Sequence, residues 1–197
     1  MEPIILASGS PRRQELLKQI GVPFEVVKSD AEELKKLPKG KDGPANLVIE
    51  NAKRKAEDVI RRYPDRKILA ADTIVYHEGK VYGKPKNEED AKEMLRELSG
   101  RTHHVLTGVV LLWDDETKPN VLQRIAGAED TLVTFSRLSE QEIADYVATG
   151  EPMDKAGAYA IQGRAAAFIP QINGSFSNVV GLPLHDVVSM LKQAGAM

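Results

Sequence analysis

Ile4-Ile5-Leu6-Ala7-Ser8-Gly9-Ser10-Pro11-Arg12-Arg13-Gln14-Glu15-Leu16-Leu17 passes from an apolar run, through a turn of small residues, into a segment of helical period. The four apolar residues read as a short buried strand. Ser10 suits a helix N-cap, and Pro11 suits the first helical position, where its missing N–H is no loss. Strand, tight turn and helix in succession are the building unit of an α/β fold.

The alternation continues along the chain. Phe24-Glu25-Val26-Val27 reads as a second strand, and a Lys, Gly and Pro-rich loop from Lys35 to Gly43 leads into a helix from Pro44 to about Arg62. Lys67 to Tyr76 reads as a strand that Glu78-Gly79-Lys80 turns back through Val81-Tyr82. Asn87 caps an expected helix with Ala91, Met94, Leu95 and Leu98 inside and Gly100 at its end. Thr102 to Trp113 is a long strand, returned antiparallel by Val121 to Phe135 after a turn at Lys118-Pro119-Asn120. Ser139-Glu140-Gln141-Glu142 fits a capping box, with Ile143, Tyr146 and Val147 as the buried face and Gly150 as the stop. Asp154 to Gly163 reads as a loop, Ala166 to Ile169 and Gln171 to Gly174 as a hairpin about Pro170, and Pro183 to Lys192 as a closing helix. With no repeat or low-complexity stretch, residues 1–197 are read as a single domain, a pattern compatible with two lobes.

Of the 197 residues 42% are hydrophobic and 28% charged, enough to bury a core, and the net charge of −2 offers no general attraction to nucleic acid. Cysteine is absent, so disulfides, thiolate metal sites and a cysteine nucleophile are excluded. Met1-Glu2-Pro3-Ile4-Ile5-Leu6 lacks the pattern of a signal peptide, and no apolar run approaches the ~20 residues of a membrane span. A cytoplasmic protein with no membrane partner is the expectation.

Three placements break the structural rules. Arg12 and Arg13 fall in the first turn of their helix, where the dipole disfavours cations by a few tenths to about 1 kcal/mol each. A bound phosphate would satisfy the dipole, the free N–H groups and both guanidinium groups; the alternative is two solvent-facing arginines paired with Glu15. Asp72 sits inside Ile68-Leu69-Ala70-Ala71-Asp72-Thr73-Ile74-Val75. Buried there it needs a metal ion or a lysine beside it, unless it faces water at the end of the strand. Lys55 recurs with Val48, Ala52 and Val59 at helical spacing, so it either points at the protein or snorkels at the edge of the stripe.

Other candidates are weaker taken singly. Gly83-Lys84-Pro85 is not a P-loop and by itself is a turn. Glu32 and Glu33 follow the second strand, where one carboxylate could complete a hard-cation site with Asp72 or both could form a solvated acidic turn. His103 and His104 are adjacent on a strand, leave it on opposite faces, and are read as structural.

Together, the opening stretch, Ala71-Asp72-Thr73-Ile74-Val75, Gly83-Lys84-Pro85, Leu98-Ser99-Gly100-Arg101, Asp154-Lys155-Ala156-Gly157-Ala158-Tyr159 and Asn178-Val179-Val180-Gly181-Leu182-Pro183 closely resemble the Maf family of nucleoside triphosphate pyrophosphatases. The blocks stand in family order from Leu6 to Pro183. The resemblance implies a two-lobed, mixed-sheet α/β fold like that of the inosine triphosphatase group, with a central active-site cleft. It implies hydrolysis of a nucleoside triphosphate to the monophosphate and pyrophosphate with Mg²⁺ or Mn²⁺, and a homodimer is the family's assembly to expect.

Position by position, the resemblance makes Ser8, Arg12 and Arg13 phosphate-loop residues, Lys55 and Lys84 phosphate-binding lysines, Glu33 an active-site carboxylate and Asp72 the catalytic base. Asp72 and Glu33 are also the expected metal ligands, and the roles of base and ligand for Asp72 stay open. Arg13, Asp72-Thr73 and Ile161-Gln162-Gly163 match the branch acting on dTTP and UTP. The branch acting on 7-methyl-GTP carries an aromatic residue at position 13 and an acidic one near position 162. Arg12, Thr73 and Gln162 are then the specificity positions, and an amide such as Gln162 can both donate to and accept from a pyrimidine edge. Ala70 and Ala160 stand where the family often has glycine, each expected to add a methyl near the cleft. The competing readings are the same chemistry on CTP or modified nucleotides, and a nucleotide-binding regulator of cell division with incidental hydrolysis.

Overall fold

In a computed structural model of the chain, residues 2–114 and 121–197 are described; the turn expected at Lys118-Pro119-Asn120 lies outside them. Strand β1 (Ile4–Leu6) leads through the small-residue turn into helix α1 (Pro11–Gln19), strand β2 (Phe24–Val26) and helix α2 (Gly43–Ile60). Strands β3 (Ile68–His77) and β4 (Lys80–Tyr82), helix α3 (Glu88–Leu98) and the long strands β5 (Thr102–Asp114) and β6 (Leu122–Thr134) follow. Helix α4 (Glu140–Val147), three 3-10 turns at Glu151–Asp154, Ala156–Ala158 and Arg164–Phe168, strand β7 (Gln171–Asn173), and helices α5 (Phe176–Val180) and α6 (Leu184–Gln193) complete the order.

The seven strands form one mixed sheet in the order β2-β1-β3-β5-β6-β7, with β4 paired to β3. β1 lies parallel to both neighbours, with Ile4 opposite Phe24 and Ile5 opposite Ile68. The chain therefore leaves β1 toward β2 on one side and returns to β3 on the other. That reversal makes the carboxyl ends of these strands a topological switch point, where open α/β sheets bind ligands. β3 and β4 join through Glu78 (φ 45°) and Gly79 (φ 85°), both in the left-handed region that a two-residue type I′ hairpin demands. Thr102 pairs through its hydroxyl with Thr134 at 2.8 Å and His104 with Asp130 at 2.9 Å, so β6 retraces β5 in the opposite sense.

The chain divides into two compact units, one of Met1–Asp72, Thr107–Glu129 and Gly181–Met197, the other of Thr73–Leu106 and Asp130–Val180. In the first, Ala52, Ala56, Val59 and Ile60 of α2 pack with Ile5, Ala7, Ile68, Ala70, Val110 and Leu112 of the sheet. Small side chains bring helix and sheet close. A Cβ on Gly108 of β5 would lie inside contact distance of the Val48 backbone. Ala70 is fully buried in this core, so its methyl fills the interior and does not narrow a cleft.

The second unit packs Leu95, Leu98, Val105, Ile143 and Val147 around edge-to-face aromatic pairs of Phe135 with Tyr159 and of Tyr146 with Phe168. The capping box at Ser139 and Glu142 is present with both of its bonds. The hairpin about Pro170 is not. Arg164–Phe168 winds into a 3-10 turn, and β7 pairs antiparallel with β6, Ile172 opposite Val133. Three consecutive alanines lack the β-branched side chains that favour a strand, and Pro170 has no N–H to give a hairpin ladder. The loop read over Asp154 to Gly163 contains the Ala156–Ala158 turn, and α5 was not legible as a helix at five residues.

Candidate active site

The site of the first unit grows from the carboxyl ends of β1 and β2 and from the middle of β3. β1 stops at Leu6, and Ser8 is buried at its end. Ser10 holds an extended conformation at the N-cap, but its side chain makes no capping bond, and the first turn of α1 has no acidic residue. Arg13 turns inward: Nη1 donates to Ser8 Oγ at 3.0 Å and Nε donates to the Gly181 carbonyl at 2.8 Å. Ser8 Oγ also accepts the Ser10 N–H at 3.3 Å, which leaves its own proton as the group it can offer outward. Gly9 is closely covered, since a Cβ there would stand 2.6 Å from Lys28 Cε.

Burial lowers the Arg13 guanidinium from its ordinary value, with Asp72 and Glu33 opposing that shift and Arg12 adding to it. The guanidinium thus feels both carboxylates as well as its neighbouring cation. The turn at Ser8 to Arg13 and the acidic residues form one electrostatic neighbourhood.

Asp72 ends the portion of β3 in this unit and is 6% exposed. Of the partners a buried carboxylate requires, the lysine is present: Lys55 Nζ donates to Asp72 Oδ1 at 2.7 Å. The same ammonium lies 2.7 Å from Glu33 Oε1. Lys55 therefore points at the protein, from the helix face its spacing predicts, and bridges two carboxylates. Asn51, one turn earlier on α2 and 3% exposed, donates Nδ2 to Asp72 Oδ2 at 2.9 Å. It also accepts the Leu34 N–H at 2.7 Å and donates to the Leu34 carbonyl at 3.1 Å, fixing the loop that carries Glu33. Sequence reasoning passed over Asn51; the signal was its i, i+4 spacing from Lys55 on a face otherwise apolar.

Three sequence-predicted residues belong to the second unit. Thr73 follows Asp72 on β3 and is half-buried. Lys84 is exposed in the turn after β4, where the Gly83 carbonyl accepts the Gly157 N–H at 3.1 Å and ties that turn to the 154–159 loop. Gly157 needs to be glycine twice over, with φ 69° and Val75 Cγ2 2.9 Å from where a Cβ would stand. Gln162 is exposed on a turn closed by the Gly163 N–H to the Ala160 carbonyl at 3.0 Å. His103 and His104 are structural, as read: buried His103 Nε2 meets the Tyr159 hydroxyl at 2.7 Å, and half-buried His104 pairs with Asp130.

Among the described residues no group of three or more His, Cys, Asp or Glu is placed to hold a metal ion. Asp72 and Glu33 offer the hard oxygen donors that Mg²⁺ or Mn²⁺ prefers, and Lys55 Nζ bridges them in this structure.

A strand-turn-helix that sets Ser8 and Arg13 within the electrostatic reach of Asp72 and Glu33, at a switch point of a mixed sheet, defines an α/β protein with a charged site in its first unit. The chain belongs to the Maf-like protein family, whose model matches residues 3–194. A dTTP/UTP pyrophosphatase of Symbiobacterium thermophilum is 52% identical to it over 99% of this chain and 95% of the relative. One of Bacillus cereus is 47% identical over 98% of this chain and 90% of the relative. Among solved structures, the Staphylococcus aureus Ham1 protein is similar with a TM-score of 0.53 at 15% identity, over 98% of this chain and 100% of that one, a likeness of fold.

Proposed function

We propose that this chain is a nucleoside triphosphate pyrophosphatase that hydrolyses dTTP and UTP to the nucleoside monophosphate and pyrophosphate. The observation that carries the reading is Asp72: a carboxylate buried in the middle of β3, held by Lys55 and Asn51, within the electrostatic reach of the Arg13 turn. The dTTP/UTP pyrophosphatases at 47% and 52% identity support the substrate class.

In this reading Arg12, Arg13, Ser8 and Lys84 bind the phosphate chain, and the fork of Arg13 is already oriented by Ser8 and Gly181. Asp72 accepts a proton from water as the water oxygen bonds to the α-phosphorus. The bond from that phosphorus to the α,β-bridging oxygen breaks, and pyrophosphate leaves with the electron pair. Asn51 and Lys55 fix the direction in which Asp72 presents its oxygens. Asp72 and Glu33 would hold Mg²⁺ or Mn²⁺, and the ion would supply charge neutralisation for the phosphate chain. Arg12, Thr73 and Gln162 select the base.

The family resemblance supports a cytoplasmic homodimer without a nucleic-acid partner. Among the described residues no helix is long and apolar enough to cross a membrane. Pyrophosphate release with Mg²⁺ across dTTP, UTP, CTP, dCTP and 7-methyl-GTP tests the function, with dTTP and UTP expected to lead. Saturable binding without turnover of any member would replace it with a nucleotide-binding regulator.

A further inference from the structure

A side chain at Gly163 would have to displace a carboxylate that fills the space. A Cβ built there would collide with the carboxyl group of Glu151. Its φ of −104° suits any residue, so the requirement is for space and not for backbone freedom.

That carboxylate is tied to both ends of one turn. Glu151 Oε2 accepts the Arg164 N–H at 3.2 Å, and Oε1 accepts the Tyr146 hydroxyl at 2.8 Å. The Tyr146 oxygen in turn accepts the Ala160 N–H at 3.2 Å. Tyr146 and Glu151 thus clamp residues 160 and 164, and at the apex between them stands exposed Gln162.

The clamp is itself braced. Tyr146 is 3% exposed on α4. Thr149 Oγ1 donates to the Tyr146 carbonyl at 2.6 Å and accepts the Glu151 N–H at 3.2 Å. Burial, with the Glu151 carboxylate adding to it, pushes the Tyr146 hydroxyl well above the ordinary tyrosine range, so it keeps its proton and remains a donor to Glu151.

We propose that Tyr146 and Glu151 are positioning residues for base selection, fixing the 160–164 turn and with it the reach of the Gln162 amide. This rests on the reading of Gln162 as the base-contacting residue. An amide carries one donor end and one acceptor end, and turning it over exchanges them. Uracil and cytosine differ by the same exchange at their pairing edge. Gln162 alone could therefore serve either base; discrimination requires that its backbone be held at one distance and angle.

The test is the ratio of kcat/KM for UTP over CTP in Gln162→Ala, Tyr146→Phe, Glu151→Ala, Glu151→Gln and the double variant Tyr146→Phe/Gln162→Ala, with melting temperatures alongside. Gln162→Ala is expected to lower the ratio by about tenfold or more, the loss of a specific hydrogen bond to substrate. Tyr146→Phe and Glu151→Ala lower it chiefly through KM for UTP. Glu151→Gln, whose amide oxygen can still accept the Arg164 N–H, retains more of it. The double variant falls no further than Gln162→Ala, because the residues act through one another. A lowered ratio in Gln162→Ala with an unchanged one in Tyr146→Phe and Glu151→Ala overturns this proposal alone, as does an additive fall in the double variant. An unchanged ratio in Gln162→Ala overturns the base assignment and the proposal together. Should Tyr146→Phe fail to fold, the two Glu151 variants read the same ratio.

Discussion

Asn51 Nδ2 donates to Asp72 Oδ2 at 2.9 Å, while the other end of the same amide accepts the Leu34 N–H at 2.7 Å. One buried asparagine thus orients the Asp72 carboxylate and holds the loop bearing Glu33. Asn51→Ala removes a donor from a buried carboxylate and leaves the Leu34 amide to find another partner. The expected cost is about 1–3 kcal/mol of stability in urea unfolding. A fall of about 10- to 100-fold in kcat should accompany it, the scale seen when an outer-shell partner of an active-site ligand is lost.

Gly108 is where α2 rests on β5, and the obstacle to a side chain there is the Val48 backbone, which cannot rotate away. Gly108→Ala must push the helix outward, at about 1–3 kcal/mol by the cost of overpacking. Because α2 also carries Asn51 and Lys55, kcat should fall with the melting temperature. A variant with normal kcat and a lowered melting temperature would show that the helix can shift without moving Lys55.

Arg13 divides its fork between two acceptors, Ser8 Oγ and the Gly181 carbonyl. A lysine offers a single nitrogen where arginine uses two, and it loses the planar fork that serves both. Arg13→Lys should raise KM for dTTP by about tenfold with a smaller effect on kcat, the pattern of a lost binding contact. Steady-state kinetics at fixed ionic strength measures it.

His103 is buried against Phe135 and Tyr159, and burial, with His77 and His104 adding to it, lowers its pKa to about 3 from an unfolded value of 6.5. Between these values the unfolded chain binds the proton and the folded chain does not. The native state therefore holds the full contribution above pH 6.5 and loses it as the pH falls toward 3, by up to about 1.4 kcal/mol per pH unit. His103→Gln, which keeps a polar group toward the Tyr159 hydroxyl without titrating, should flatten that part of the stability profile between pH 7 and pH 5. An unchanged slope would move the titration to another group.

The parts legible from sequence were those where a residue contradicted its own surroundings. Asp72 inside an apolar strand demanded a partner, and Lys55 inside an apolar stripe was available as one. Those arguments need only local spacing and the cost of burial. Asn51 was illegible because an asparagine on a helix looks ordinary until its partners, 17 and 21 residues distant, are in view. The segment around Pro170 was misread for a related reason: β7 pairs with β6, about 40 residues back, and not with its neighbour in sequence. The Ser139 capping box, complete within four residues, was legible in full.

The central claim is that water attacks the α-phosphorus under the control of Asp72. Hydrolysis of dTTP in ¹⁸O-enriched water, with the products resolved by mass spectrometry, tests it most directly. The label should appear in the nucleoside monophosphate and not in pyrophosphate, and Asp72→Asn should form neither product at a comparable rate while keeping its melting temperature. Label in pyrophosphate, or near-normal labelled product from Asp72→Asn, would contradict the account.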